Sequence, residues 1–142
     1  ISKGHTYLAA VEGWFAYRSG GETPRAVERV RRCFDVAKGR ETALALFTDT
    51  EQAALTLAWL SAQMPLTTPR RFIQPALNAF SPIELIQLVT VCALAGLVQR
   101  FVAIANPRIA PEVKTFFTTN GLTTDTLAIR YPLPSKRLQS AA

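Results

Sequence analysis

One histidine, two cysteines and ten carboxylates are all that this 142-residue chain offers for proton, thiol or metal chemistry. The histidine is His5. Imidazole is the side chain best suited to proton transfer near neutral pH, although a lone His near a helix start is more often structural or solvated. Glu12 stands two turns beyond it on a plausible shared face, where a solvated helix charge is the plainer reading. Cys33 and Cys92 are far apart and form neither C-x-x-C nor a zinc pattern. A thiol in an apolar segment such as that around Cys92 is usually a small core residue. One His and scattered acids cannot supply three or four metal ligands, so neither metal nor cofactor is expected. Gly20-Gly21 has no preceding strand and does not make a phosphate loop. Arg100 beside Gln99 reads either as a snorkelling end of a buried helix or as a polar group on a pocket wall. Trp14, Phe15 and Tyr17 read as core or subunit contact, or as the lining of an apolar pocket beside His5.

These residues sit on segments with clear helix punctuation. Thr48-Asp49-Thr50-Glu51 is a capping box, and the spacing of Ala54, Leu55, Ala58 and Trp59 predicts a helix from about Asp49 to Gln63, stopped by Pro65. Ser81-Pro82-Ile83-Glu84 is a stronger start, with Ser81 as cap, Pro82 in the first turn and Glu84 closing the box. The helix it opens runs to about Ala105 and ends at Asn106-Pro107. It is apolar nearly all round, which predicts the central, most buried helix, with Leu88, Val89, Cys92 and Phe101 inaccessible. Thr23-Pro24 opens a basic helix to about Cys33. Thr68-Pro69 opens one to about Ala79 that Pro75 should break or kink. Ala110-Pro111 opens one closed by Asn120-Gly121. Ser2 to Arg18 is helical as far as Gly20-Gly21. Residues 127–131 are the one strand candidate. The expectation is an all-α domain of about six helices over residues 1–131, with a tail over 132–142 that extends from it.

Composition narrows the function. With 49% apolar and 18% charged residues the chain is not disordered. A net charge of +6 and a pI near 9.9 allow an anionic partner. The basic residues are dispersed, however, and the densest run, Arg25 to Arg32, reads as a solvated helix face, so no nucleic-acid partner is expected. The most apolar stretch, Leu85 to Val98, lies in a charge-free run of only 15 residues, Leu85 to Gln99, against the roughly 20 of a membrane span, so no membrane partner is expected either. Two unpaired cysteines and no visible leader fit a cytoplasmic protein. The chain opens on Ile1, which reads as a start inside a longer product, a processed start or a start lost to disorder.

The order of these segments resembles the alkylhydroperoxidase-D / carboxymuconolactone-decarboxylase family. Lys3-Gly4-His5-Thr6-Tyr7-Leu8 is similar to the stretch that follows the family's redox pair. The segment around Thr50-Glu51-Gln52-Ala53-Ala54-Leu55 is similar to its linking helix. Ile83 to Val89 with Val98-Gln99-Arg100-Phe101 is similar to its long last core helix. The likeness covers most of residues 1–105. It implies an alkylhydroperoxidase-like oxidoreductase, a thiol-dependent peroxidase or disulfide reductase acting on a peroxide or disulfide. His5 would be its catalytic proton relay. The family's C-x-x-C has no counterpart in these residues; the pair either lies just upstream of Ile1, as the oxidoreductase reading expects, or has been lost. A lyase of the decarboxylase type and a non-catalytic helical oligomerisation domain are the alternatives. The resemblance, together with the apolar and aromatic density of the His5-to-Arg18 segment and the long helix, implies a homo-oligomer.

Overall fold

A computed structural model describes residues 2–36, 39–62 and 70–122, with residues 2–6 described by their backbone alone. The described residues form seven helices and no strand: α1 Ser2–Ser19, α2 Pro24–Val36, α3 Glu41–Leu44, α4 Asp49–Ser61, α5 Arg70–Ala79, α6 Pro82–Ala105 and α7 Pro111–Thr119. The all-α expectation holds. The strand candidate at 127–131 and the tail at 132–142 lie outside the described residues.

The starts and stops follow local chemistry. At α4 the Thr48 hydroxyl accepts the Glu51 amide at 3.3 Å and the Glu51 carboxylate accepts the Thr48 amide at 2.9 Å. The same reciprocal box opens α6, with Ser81 N to Glu84 Oε2 at 2.7 Å and Glu84 N to Ser81 Oγ at 3.4 Å. Each box satisfies two amide donors that a helix start leaves without partners. Thr23 caps α2 by accepting the Ala26 amide at 3.1 Å. Asn106 closes α6 in the left-handed region, φ 45°, which Asn tolerates better than other side chains. Two details add to the expectation. α5 runs through Pro75 as one helix, so Pro75 does not break it. α3 is a single extra turn, too short to show a periodicity.

α1 is the hub and packs against α2, α6 and α7. The buried cluster lies where α1, α2 and α7 meet: Ala10, Val27, Val30, Val113, Phe116, Phe117 and Leu122, with Trp14 and Tyr17 against it. Tyr17 stacks on Phe116 with ring centroids 4.5 Å apart, and Phe117 meets Phe116 edge-on at 5.4 Å. α2 buries Ala26, Val27, Val30 and Val36 and turns its charges outward. There Glu28 pairs with Arg31 at 2.8 Å and Arg32 at 2.9 Å, and Asp35 pairs with Arg40 at 3.3 Å.

α6 overturns an expectation. It is not the buried centre. It packs on α1, α4 and α5 along one side, and only Val102 on it is buried. Leu88 and Cys92 are half-buried, whereas Val89 is 49% and Phe101 70% exposed. The half-buried side carries Leu85, Leu88, Cys92, Gly96 and Gln99, spaced three and four apart. The opposite side is apolar and uncovered. An all-round apolar helix needs neighbours on every side, and α1, α4 and α5 supply one side. At 24 residues α6 is also long and apolar enough to cross a membrane by length and composition, so the charge-free count underestimates it.

Candidate functional groove between α1, α2 and α4

The small residues of α1 decide where a site can form. Ala9, Gly13 and Ala16 keep the helix surface low, and the space left against α2 and the start of α4 is a groove of about 750 Å³. Glu12 enters from α1, Arg25, Arg29 and Cys33 from α2, and Phe47, Glu51 and Leu55 from the α4 side. The volume falls within the range of small-molecule pockets, and its lining mixes apolar walls with a few polar groups.

Arg29 organises one wall. Its guanidinium pairs with the Glu51 carboxylate and lies over the Phe47 ring, 4.7 Å from the centroid. Glu51 thus serves twice, as capping residue for α4 and as partner of α2. The Thr48 amide, followed by Arg29, holds its carboxyl below the ordinary range. Glu12 and Arg25 line the groove and make no ion pair among the described residues.

Cys33 is on the groove wall but is not poised as a nucleophile. Its Sγ donates to the Val30 carbonyl at 3.2 Å. Burial pushes its pKa up, against the lowering effect of backbone hydrogen bonds, and the charge of Asp35 raises it further. Reactive thiols have the reverse environment, with a lowered pKa and an electropositive surround. Cys92 is on α6 and does not line the groove, so the two thiols share no site there.

The residues singled out from sequence separate as follows. His5 is on α1, and its side chain lies outside the described residues. By helical register it stands one turn before Ala9 and two before Glu12, so its position continues the stripe that lines the groove. Trp14 and Tyr17 are half-buried against the core, and the Tyr17 hydroxyl donates to the Glu22 carbonyl at 3.2 Å. Phe15 is 54% exposed. Arg100 is exposed on α6, donates to the Gly96 carbonyl at 3.4 Å and takes no part in the groove. Sequence reasoning missed Arg29 as a groove residue. The signal was present as an Arg in the basic run of an amphipathic helix, but nothing local announces a partner 22 residues away. Among the described residues no group of three or more His, Cys, Asp or Glu side chains could hold a metal ion. Compared with models of known families, with curated proteins and with solved structures, the chain matches none of them.

Proposed function

We propose that the chain is the helical body of an alkylhydroperoxidase-like oxidoreductase, with the α1–α2–α4 groove as its substrate site and His5 as the proton relay at the groove's N-terminal end. The observation that carries this reading is the register of His5 with Ala9, Glu12, Gly13 and Ala16, on the face of α1 that borders this groove. The order of helices supports it as a resemblance. On the resemblance, the thiols would be a C-x-x-C pair preceding Ile1; Cys33, whose pKa burial raises, and Cys92, which does not line the groove, have no part in this reading. In such a site one thiolate attacks the peroxide oxygen and expels an alkoxide. The second thiol then displaces water to leave a disulfide, so two thiols and a peroxide become a disulfide, an alcohol and water. An imidazole accepts the attacking thiol's proton and returns it to the leaving oxygen. The setting proposed is cytoplasmic, where a reductant can restore the pair.

The test is peroxide consumption with a dithiol reductant, measured for the 142-residue chain and for a longer product carrying residues before Ile1. Activity confined to the longer product, lowered by His5→Ala and unchanged by Cys33→Ser, supports the reading. A longer product with no thiol pair overturns it and leaves the lyase or the non-catalytic domain. The non-catalytic reading has its own support in the uncovered apolar side of α6.

A further inference from the structure

One arginine of α2 differs from its neighbours. Arg29 is held by Glu51, and Arg31 and Arg32 share Glu28. Arg25 lines the groove, is exposed, and takes no carboxylate among the described residues. It stands at one end. On α1 the lining extends from Ala9 to Ser19, about 15 Å of helix. The chain then turns through Gly20 and Gly21, and α2 starts at Pro24 with Ala26 close against Gly20. Arg25 therefore belongs to the turn end of the groove, and the position of His5 to the other.

Between the two ends the lining is mostly apolar. Ala9, Gly13 and Ala16 form the α1 wall, and Val30, Phe47 and Leu55 contribute to the others. Arg29 is there too, but Glu51 neutralises its charge. Among the described residues the other unpaired charge on the lining is Glu12, which lies about 10 Å along α1 from Ser19 and so on the His5 half. An anion is drawn to the turn end by Arg25 and repelled from the other half by Glu12. A slot with a cation at one end, an acid toward the other and apolar walls between them accepts an elongated molecule in one orientation.

We infer that the groove takes a long-chain monocarboxylate, its head on Arg25 and its apolar chain running along α1 toward His5. A guanidinium meets a carboxylate through two parallel N–H donors. The head is a carboxylate and not a phosphate monoester, because no second free cation lines the groove to take the extra negative charge. The length along α1 suits an extended chain of roughly ten to twelve carbons, given C–C bonds of about 1.5 Å. The ligand class rests on the groove. That the end of the chain away from the carboxylate carries the reacting group rests on the reading of His5 proposed above, and on that reading the substrate is a hydroperoxide borne on an anionic chain.

The test is calorimetric titration of the whole chain with dodecanoate, below its micelle concentration, beside Arg25→Gln, Ala16→Leu and Phe101→Glu. Arg25, Ala16 and Phe101 are exposed, so helix content by circular dichroism should stay at the wild-type level. The expected result is one dodecanoate per chain, a dissociation constant raised about 5–10-fold by Arg25→Gln, and binding lost when Ala16→Leu fills the groove. Dodecyltrimethylammonium, with the same chain and the opposite charge, should bind more weakly than dodecanoate. Phe101→Glu should change nothing. No binding by the wild type, equal binding by Arg25→Gln, or a preference for the cation overturns the inference. Binding that survives Ala16→Leu and disappears with Phe101→Glu places the chain on the outer side of α6 and overturns it as well. The readout needs no turnover, so a longer product without a thiol pair would sink the catalytic reading and leave this result standing. Failure of dodecanoate to bind would leave the peroxide assay as it was.

Discussion

The corner where α1, α2 and α7 meet and the outer side of α6 are both rich in large apolar residues, yet only the first is a core. Val27, Val30, Val113, Phe116 and Phe117 are buried there. Ile83, Leu97, Phe101 and Ile104 on α6 stand in the open. The less apolar helix is the better buried one. α2 is hydrophilic on average, but its charges gather on one side and its valines on the other, so its orientation is fixed. α6 has no polar side to turn outward, and its sequence is equally content with one, two or three neighbours. Burial follows the asymmetry of a helix, not its total hydrophobicity.

The largest test of this contrast exchanges the same residue type in the two regions. Phe116→Ala removes a ring packed against Tyr17 and Phe117 and should destabilise the single copy by about 3 kcal/mol. Phe101→Ala removes a ring that is 70% exposed and should cost under about 0.5 kcal/mol in denaturant titrations at the lowest workable concentration. Equal losses would show that α6 is as enclosed as the corner. A loss at Phe101 that grows with protein concentration would show that a second copy covers it.

Glycines sharpen the comparison on a smaller scale. A Cβ on Gly20 would stand 2.8 Å from the Ala26 Cβ and 3.2 Å from the Ala16 carbonyl, because α1 ends close against α2. Gly20→Ala should therefore cost about 1–2 kcal/mol through overpacking. On α6 a Cβ on Gly96 meets only the Arg100 guanidinium, at 3.8 Å. Gly96→Ala should stabilise by about 0.5–1 kcal/mol, since Ala loses less backbone freedom in a helix. Thermal unfolding of the two variants checks both signs.

Cys33 and its surroundings give a test without a stability readout. With Cys92→Ser as background, Cys33 should react slowly with a disulfide reagent at pH 8 and rapidly once the chain is unfolded, because burial disfavours its thiolate. Fast reaction in the folded chain would restore Cys33 as a candidate nucleophile in the groove.

These contrasts also mark what the sequence could tell. Thr48 with Glu51 and Ser81 with Glu84 act within four residues, so their boxes were legible, as were Pro82 at a helix start and Asn106 at an end. α3 is one turn and leaves no repeat to read. α5 continues through Pro75 while packed on α4 and α6, a context no local rule contains. The groove depends on Ala9, Gly13 and Ala16 meeting α2, and Arg29 finds Glu51 only after α4 has folded back. The exposure of α6 was illegible for another reason: its pattern specifies that neighbours are needed and leaves open whether they belong to the same chain.

The smallest effect separates the two regions by the origin of their electrostatics. Glu28 on α2 and Glu84 on α6 both have carboxyl pKa values below the ordinary 4.5. For Glu28 the chief cause is the hydrogen bond from Arg32, with the charges of Arg31 and Arg32 adding to it against some desolvation. For Glu84 it is the Ser81 backbone amide, followed by the Ser81 hydroxyl. A carboxylate whose folded pKa is depressed contributes stability above its unfolded pKa and loses it as pH falls through the folded value. Both contributions are therefore intact at neutral pH and disappear in the acid range below about pH 4.5. Salt divides them. Exposed charge pairs are screened by added ions, whereas a hydrogen bond from the helix's own first turn carries little dependence on them. Carboxyl carbon titrations by NMR at low and high salt should show the Glu28 value moving up toward the ordinary range, with Glu84 nearly fixed. If Glu84 moves as far as Glu28, its low value comes from distant charge, and the capping box is not what holds the start of α6.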